Sequence, residues 1–405
     1  METLKNAEQP EKKREGILVR SVRNSRLRAT VVAAIWALVC LSGCEHGGAD
    51  AEITRKLESM GKSKGNVFPD REDYYGVFVL NDDNAWVVGN RGVILHIADR
   101  GAKVTLLPTW VEKALYNVDF TDAQNGLAIG QDGLIVKTSD GGKTWKQIKL
   151  ELPLQEWQAA QPHIFSMSRG TDPQKVWAVG PVGAIIHSQD GGETWENLSL
   201  GRDVTLNGVS FANDTEGWVV GEFGTILHTS DGGRTWKEQK NVLNLPKYTR
   251  PELSEEDALR QRVPQLYLED LFLVAVAFRN PREGYVAGES GILLKTEDGG
   301  ETWTNVSSGS FNTLLSVVLT QATDIATGVL GTLAVPSDGK WSLLPDVREH
   351  VLTWLRDVSF AKDSGFGLAC GGKGTILVTR DGGKTWQPLA KEKLEQAAAN
   401  MGKAA

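Results

Sequence analysis

A heptapeptide that occurs five times constrains this chain more than any other feature. Residues 139–145 read SDGGKTW, and each copy fits the pattern S/T-x-D-x-G-x-T-W, with apolar runs on either side. An aspartate that caps its own backbone, followed by glycines that adopt positive φ without steric cost, is typical of a hairpin turn. The chain is therefore a repeat protein. The five aspartate–tryptophan pairs are Asp140 and Trp145, Asp190 and Trp195, Asp231 and Trp236, Asp298 and Trp303, and Asp381 and Trp386.

A second repeated signal raises the number of copies to seven. Seven residues before each of these aspartates lies the second glycine of a G-x-x-G pair, and the same offset from two further pairs leads to Asp99 and Asp338. The segment ADRGAKV around Asp99 has lost the threonine and the tryptophan, and SDGKW around Asp338 is shortened. The first glycines of the seven pairs are Gly89, Gly130, Gly180, Gly221, Gly288, Gly328 and Gly371.

The spacing of these glycines predicts one propeller blade for each copy. Successive first glycines are 40 to 67 residues apart, and a blade of four strands takes about 40–50 residues. Alternating apolar residues between glycine-rich turns favour strands over helices. A large residue three positions before each first glycine is expected to pack between blades. The predicted fold class is all-β: a seven-bladed β-propeller of these repeats, known as BNR or Asp-box repeats, over residues 74–389.

The N-terminal sequence predicts export and lipid anchoring. Residues 1–43 combine a basic cluster with a short uncharged apolar run, as signal peptides do. The following LSGC has the form of a lipobox, which makes Cys44 the expected lipidation site. A membrane-spanning anchor is the alternative, but the apolar run is shorter than the roughly 20 residues that a spanning helix needs. Residues 44–73 would then tether the propeller to the periplasmic face of the envelope, and Glu45 favours the outer membrane.

Three further segments interrupt or follow the repeats. Residues 241–270, between blades four and five, contain PELSEEDALRQRV, in which Ser254 and Asp257 resemble a helix-capping box. Long ordered loops often carry binding surfaces, although a tolerated insertion fits this segment equally well. A smaller insertion covers residues 153–163. Residues 390–405 form an alanine-rich tail, for which we expect a frayed helix.

Charge and cysteine content limit the classes of partner and cross-link. The net charge is −7 for the whole chain; residues 1–43 carry eight Lys/Arg and four Asp/Glu, which leaves 36 basic against 47 acidic side chains and a net charge of −11. Because binding to a phosphate backbone needs basic surface, nucleic acid is not an expected partner. Once Cys40 leaves with the signal peptide and Cys44 carries lipid, only Cys370 remains, so a disulfide within the folded chain is not expected.

No catalytic or metal-binding set is predicted. Asp-box repeats also occur in sialidases, and Arg279 in the segment FRNP superficially resembles an arginine motif of that family, but the corresponding segments of other copies are turns. Three histidines share one position on the third strands of separate blades: His96, His187 and His228. Metal–nitrogen bonds of about 2 Å cannot join them. The repeated aspartates are assigned to turns, and we expect no catalytic residue, metal or cofactor; the sequence identifies no small-molecule substrate.

One repeat carries a resemblance to a known family. Residues 214–236 resemble the BNR/Asp-box repeats of the photosystem II stability and assembly factor family; the matching residues are Gly217, Trp218, Gly221, Gly224 and Trp236. The resemblance covers about residues 74–389. It implies a lipidated or lumenal seven-bladed propeller that acts without catalysis, by holding newly made membrane subunits during assembly.

The expected function follows from the anchor, the rigid scaffold and this resemblance. We expect a lipid-anchored, non-enzymatic scaffold, assembly factor or accessory factor for a membrane-protein complex of the bacterial envelope, including an envelope transport system. The alternative is a carbohydrate-binding protein or a sialidase-like glycoside hydrolase that works at the axial face.

Overall fold

The structure, a computed structural model, describes residues 69, 71–152, 161–239, 271–321, 323–337 and 340–404. The chain divides into two compact units, residues 1–66 and 67–405, and the description concerns the second. The signal peptide, Cys44 and the insertion at residues 241–270 lie outside the described residues, so the expectations for them stay predictions. Among the described helices, none has both the length and the apolar character needed to cross a membrane.

Seven four-stranded antiparallel sheets confirm the predicted seven-bladed propeller, and in each sheet the strands are hydrogen-bonded in chain order. Blade 1 contains β1 (Tyr74–Asn81), β2 (Asn84–Gly89), β3 (Ile94–Ala98) and β4 (Lys103–Leu107). Blade 2 contains β5 (Leu115–Phe120), β6 (Gly126–Gly130), β7 (Ile135–Thr138) and β8 (Lys146–Ile148). Blade 3 contains β9 (Ser166–Arg169), β10 (Val176–Val179), β11 (Ile185–Ser188) and β12 (Glu196–Asn197).

The remaining blades follow the same order. Blade 4 contains β13 (Leu206–Phe211), β14 (Gly217–Gly221), β15 (Ile226–Thr229) and β16 (Lys237–Glu238). Blade 5 contains β17 (Leu273–Phe278), β18 (Gly284–Gly288), β19 (Leu293–Thr296) and β20 (Thr304–Asn305). Blade 6 contains β21 (Leu314–Leu319), β22 (Asp324–Gly328), β23 (Leu333–Ser337) and β24 (Lys340–Leu343). Blade 7 contains β25 (Leu355–Phe360), β26 (Gly367–Gly371), β27 (Ile376–Thr379) and β28 (Gln387–Pro388). Helix α1 (Pro345–His350) precedes blade 7, and α2 (Lys391–Ala404) follows it.

The antiparallel order gives the ring two different faces. The turns between second and third strands and the connections between blades lie on one face, which we call the connection face. The turns between first and second strands and the Asp-box turns between third and fourth strands lie on the other, which we call the Asp-box face. The chain enters β1 on the connection face.

Aromatic stacks join several blades, as expected for the large second-strand residues. Each of three tryptophans stacks on a phenylalanine of the next blade, with ring centroids 3.4–3.7 Å apart: Trp86 on Phe120, Trp177 on Phe211, and Trp218 on Phe278. The Asp-box tryptophan of that next blade meets the same phenylalanine edge-on, as Trp145 meets Phe120 with a centroid distance of 6.0 Å. All three second-strand tryptophans are buried. These stacks hold neighbouring blades face to face.

Side chains of the preceding blade accept hydrogen bonds from backbone amides on the inner edges of the first strands. The amides of Val209 and Phe211 in blade 4 donate to the hydroxyls of Ser166 and Ser168 in blade 3, over 3.4 and 2.9 Å. The same arrangement joins Phe278 in blade 5 to Ser210 in blade 4, at 3.0 Å. Because an unpaired backbone group inside a fold is costly, this pattern stabilises strands that face the axis and have no further strand beside them.

The ring closes without exchanging a strand, because blades 1 and 7 are each built from consecutive strands. The inner-edge pattern continues across the junction: the amides of Val77 and Val79 donate to the Asp357 carboxylate and the Ser359 hydroxyl, over 3.1 and 3.0 Å. On the Asp-box face, Arg100 and Arg380 each donate from the guanidinium to the other's carbonyl oxygen, at 3.0 and 2.8 Å. The degenerate Asp-box of blade 1, which contains Arg100, thus contacts blade 7 where the ring closes.

Helix α2 adds the last part of the closure. Its residues Leu394 and Ala397 are buried in one apolar cluster with residues of blades 1 and 7, and the Lys393 ammonium donates to the Gly101 carbonyl oxygen at 2.8 Å. The expected frayed tail is therefore a packed helix. Its alanine-rich composition gave no sign of the partners that bury it.

Candidate functional site

The Asp-box turns are small hydrogen-bonded structures, and the turn of blade 2 shows their design. The Thr138 hydroxyl accepts from the amides of Asp140 and Gly142, at 3.3 and 2.9 Å, and donates to the Asp140 carboxylate at 2.8 Å. The carboxylate also accepts from the amide and the hydroxyl of Thr144, at 2.9 and 2.6 Å. Gly141 and Gly142 have φ of 76° and 91°, the left-handed region that glycine enters at low cost.

The same contacts recur at the other four complete copies. The carboxylates of Asp190, Asp231, Asp298 and Asp381 accept from the hydroxyls of Thr194, Thr235, Thr302 and Thr385 over 2.5–2.6 Å. All these aspartates therefore lie in separate turns, each bound to its own loop. Each of these carboxylates is thus a hydrogen-bond acceptor within its own turn.

Hydrogen bonding also sets the acidity of these aspartates. Hydrogen bonds from the side chain and then the amide of Thr144 lower the pKa of Asp140 to about 2. Thr235 lowers the pKa of Asp231 to about 2 in the same way. At Asp190 burial acts in the opposite direction, but the donors of the turn outweigh it and its pKa is also about 2. A carboxylate held ionised in this manner is a poor general acid.

The three equivalent histidines have a packing role that sequence reasoning missed. Each ring lies against the second-strand tryptophan of its own blade, at centroid distances of 5.3, 4.6 and 4.8 Å for His96 on Trp86, His187 on Trp177 and His228 on Trp218. Carboxylates or an amide engage their nitrogens, as Glu216 does for His228 at 2.7 Å. The signal was available: in the sequence, histidine occupies this position in the three copies whose second strand carries tryptophan.

Side chains from the first strands meet near the connection-face end of the axis. Six first strands carry an extra residue at the same point, where the pairing register shifts: Tyr75, Tyr116, Asn207, Val274, Leu315 and Arg356. Neighbours contact around the ring, as Tyr75 meets Tyr116 at 5.5 Å and stacks on Trp354 at 5.8 Å. All except Arg356 are buried. Buried side chains of neighbouring blades therefore pack together at this end of the first strands.

Exposed apolar side chains distinguish the two faces. Five large apolar side chains are exposed among the described residues: Trp110, Phe223, Phe311, Leu330 and Leu352, at 72%, 50%, 38%, 57% and 83%. All five lie in turns between second and third strands or in connections between blades, that is, on the connection face. Exposed apolar groups gathered on one side of a fold are a common feature of contact surfaces. This face is the candidate functional site.

Two of these residues also have an unfavourable backbone conformation. Phe223 and Leu330 occupy the third position of their G-x-x-G turns with φ of 56° and 55°. Both side chains remain about half exposed. A bulky side chain is uncommon in this region; the other copies place Arg91, Asp132, Val182, Ser290 or Lys373 there.

The segments flanking the two insertions lie on the same face. The amide of Gly224, in a connection-face turn, donates to the carbonyl oxygen of Leu271 at 2.9 Å, which follows the insertion at residues 241–270. Gln161, near the end of the smaller insertion, exchanges hydrogen bonds with the backbone of Leu152, which precedes that insertion, at 3.0 and 3.1 Å. The insertions therefore begin and end on the connection face.

The polar groups near the axis, in the part of the chain that the structure describes, are bound by side chains and amides of neighbouring blades. Asp119 pairs with Arg169 of the next blade, and the buried Asp357 accepts from the amides of Val77 and Val358 and the hydroxyl of Ser316. Burial raises the pKa of Asp357 despite these donors. Within the described residues, no group of three His, Cys, Asp or Glu side chains has a metal-binding arrangement. Arg279 lies in the turn expected for it and pairs with Asp324.

Solved structures of known proteins resemble the propeller. A structure described as YCF48 bound to D1 peptide matches with a TM-score of 0.56 and 19% identity, over 76% of this chain and 93% of the other. YCF48 from Cyanidioschyzon merolae matches with a TM-score of 0.56 and 18% identity, over 79% and 98%. The GH74 xyloglucanase from Xanthomonas campestris matches with a TM-score of 0.57 and 14% identity, over 78% and 53%. At these identities the likeness shows the fold alone.

Sequence comparisons give shorter but closer matches. The photosystem II assembly lipoprotein Ycf48 of Prochlorococcus marinus strain MIT 9312 is 45% identical over 40 residues, which is 10% of this chain and 12% of that protein. Its counterpart in strain NATL2A is 49% identical over 37 residues, 9% of this chain and 11% of that protein. The chain thus matches only about a tenth of the length of these relatives.

The family model described as photosynthesis system II assembly factor YCF48 matches three overlapping stretches, residues 104–204, 160–248 and 197–315. Together they span more than half of the chain and include blades 2 to 5 with their Asp-box turns. The chain therefore belongs to the photosynthesis system II assembly factor YCF48 family.

Proposed function

We propose that the protein is a lipid-anchored, non-enzymatic scaffold that holds part of a membrane-protein complex in the bacterial envelope, as an assembly or accessory factor. The observation that carries the proposal is the connection face, where the five exposed large apolar side chains of the described residues lie. Burying such groups against a partner is favourable by about 25 cal/mol for each Å² of apolar surface removed from water. Membership of the family adds support for an assembly role.

The partner contact is proposed to be with polypeptide. A solved structure of YCF48 is described as bound to D1 peptide, and we infer that this chain likewise binds a segment of a membrane protein. The connection face offers both apolar side chains and charged groups, the latter in the turns of four blades: Arg91, Asp132, Glu222 and Lys373. Apolar and charged groups occur together at protein–protein interfaces.

The anchor is proposed on the sequence of the first 44 residues, and two relatives named as lipoproteins support it. Cys44 would carry diacylglycerol, and the periplasmic location, with the outer membrane favoured over the inner, is part of the same proposal. A Cys44→Ala variant should lose incorporation of a labelled fatty acid and move from the membrane fraction to the soluble fraction. Unchanged labelling of that variant would exclude Cys44 as the site.

Affinity capture tests the scaffold proposal. Residues 45–405 on a matrix are incubated with detergent-solubilised membranes of the source organism, and retained integral membrane proteins are identified by mass spectrometry. We expect a defined membrane protein to be retained and to be lost with the triple variant Phe223→Ser, Leu330→Ser, Leu352→Ser. A matched triple variant on the Asp-box face, Lys143→Ser, Arg234→Ser, Glu301→Ser, should retain it. Equal retention by both variants contradicts a docking role for the connection face.

The alternative of carbohydrate binding or hydrolysis has less support. The acidic side chains near the axis, Asp119 and Asp357, are bound by an arginine and by backbone amides, and the Asp-box carboxylates lie in separate turns. The likeness to a xyloglucanase concerns the fold only. Glycan-array binding, or hydrolysis of a glycoside that is lost when one axial carboxylate is replaced, would favour this alternative.

A further inference from the structure

A cleft of about 1280 Å³ separates blades 6 and 7 and opens on the Asp-box face. Its wall in blade 6 includes Val335 and Pro336, and its wall in blade 7 includes Phe360, Gly382 and Gly383. Polar and charged groups of three turns surround the opening; they include Thr320, Thr323, Lys362, Asp363, Ser364 and Lys384. The apolar interior and the polar rim are typical of a ligand site.

Comparison within the ring explains why the cleft is there. At three other junctions a second-strand tryptophan stacks on the phenylalanine that corresponds to Phe360. A histidine of the same blade packs against that tryptophan. Blade 6 has Ile325 in place of the tryptophan and, by strand register, Val335 in place of the histidine. Two aromatic rings are thus missing from this junction: Ile325 is buried against Gly383, and Val335 and Phe360 line the cleft.

Junctions that lack the tryptophan elsewhere are filled in other ways. Beside Leu368, helix α2 supplies Leu394 and Ala397 to the junction of blades 7 and 1. Beside Tyr285, the ring of Trp341 packs at 5.5 Å. Beside Leu127, the Lys137 ammonium pairs with Glu193 of the next blade at 3.0 Å. At the junction of blades 6 and 7, Ile325, Val335 and Phe360 belong to one apolar cluster, and the described residues that line the cleft include no aromatic ring besides Phe360.

The three complete junctions also show what such a slot accepts. There the indole ring stacks on phenylalanine at 3.4–3.7 Å. Its N–H donates to the carbonyl oxygen of the first Asp-box glycine, as Trp177 does to Gly232 at 2.8 Å and Trp218 to Gly299 at 3.0 Å. In blade 7 the corresponding acceptor belongs to Gly382 and the corresponding ring to Phe360, and both line the cleft. The cleft therefore contains a stacking ring, Phe360, and the backbone of Gly382, which correspond to the two partners of the indole elsewhere, but blade 6 supplies no indole.

We propose that this cleft binds a tryptophan side chain carried by an extended peptide segment of another protein. The indole would stack on Phe360 and donate to the Gly382 carbonyl oxygen, which reproduces the contacts of Trp177 and Trp218. The cleft is much larger than one ring, so the peptide on either side of the tryptophan has room between the turns of the rim. The inference does not depend on the proposed function, because it concerns the Asp-box face and not the connection face.

Calorimetric titration of residues 45–405 tests the proposal. The probes are the peptide acetyl-Gly-Ser-Trp-Ser-Gly-amide, the same peptide with Ala in place of Trp, and N-acetyltryptophanamide. We expect the Trp peptide to bind at least about tenfold more tightly than the Ala peptide, as stacking and burial of one indole imply. N-acetyltryptophanamide should bind more weakly than the Trp peptide; equal binding would identify a free indole compound, and not a peptide, as the ligand.

A variant that fills the slot provides the decisive comparison. Ile325→Trp restores the residue of the complete junctions, so it should abolish binding of the Trp peptide without lowering the melting temperature. Leu127→Ile, at the same repeat position in another junction, should leave the affinity unchanged. Phe360→Leu, which removes the stacking surface with little change in size, should weaken binding by about tenfold. Equal affinity for the Trp and Ala peptides, or full affinity in a folded Ile325→Trp variant, would overturn the proposal.

Discussion

At the scale of single residues, one buried hydroxyl organises each Asp-box turn. Thr138 is 2% exposed, and its hydroxyl accepts from two amides while it donates to Asp140. The sequence predicted the turn because aspartate and paired glycines have a local mechanism. It did not reveal the pairing of histidine with tryptophan until the structure showed the rings in contact, since that pairing links two strands of a blade.

Removal of this hydroxyl should destabilise the protein. Thr138→Val keeps the shape but leaves the buried amide of Gly142 without an acceptor, which costs roughly 1–3 kcal/mol. Thr144→Val, whose side chain is exposed, should cost less because its former partners reach water. Urea unfolding of the two variants measures the difference. Equal losses would show that the buried hydroxyl has no special role.

The acidity of the turn aspartates predicts a stability change at low pH. The pKa of Asp140, Asp190, Asp231 and Asp381 falls from 3.8 to about 2 in the folded chain. A folded pKa below the unfolded one gives stability that is present above about pH 4 and is lost as the pH falls towards 2. The free energy of unfolding should therefore fall less steeply over this window in Asp231→Asn than in the wild type. Identical slopes would contradict the assignment.

At the scale of strands and helices, the sequence predicted elements whose formation depends on nearby residues, and it missed packing that depends on residues distant in sequence. The seven blades followed from the repeat because each copy carries its own strand and turn signals. The burial of α2 did not, because it depends on surfaces of blades 1 and 7 that are distant in sequence. Likewise, the sequence did not predict the contacts of the extra residues in the first strands, because residues such as Tyr75 and Tyr116 lie in different blades and meet only in the closed ring.

A core substitution in α2 tests its role in ring closure. Leu394→Ala removes a buried side chain that packs with blades 1 and 7, and should lower the free energy of unfolding by roughly 2–4 kcal/mol. Leu352→Ala removes a leucine that is 83% exposed, and should change it by less than about 0.5 kcal/mol. Chemical denaturation compares the two. A loss at Leu394 as small as that at Leu352 would mean that α2 does not hold the ring closed.

At the scale of the whole molecule, the ring separates two kinds of surface. The Asp-box face carries the turns whose aspartates are hydrogen-bonded within the turn, and the cleft between blades 6 and 7. The connection face carries the exposed apolar side chains, the ends of both insertions and the entry of the chain into β1. The sequence could place the insertions on the propeller, but the shared face of Phe223, Leu330 and Leu352 emerged only from the folded ring.

Site-specific photo-crosslinking in intact cells tests most directly whether the connection face holds a membrane protein. A photoreactive amino acid replaces Leu330 or Leu352 on the connection face and, in matched variants, Lys143 or Arg234 on the Asp-box face. Crosslinked partners are identified by mass spectrometry. The account predicts that the same integral membrane protein is captured from both connection-face positions and from neither of the others. Capture of membrane proteins only from the Asp-box positions, or from none of the four in protein that fractionates with membranes, would contradict it.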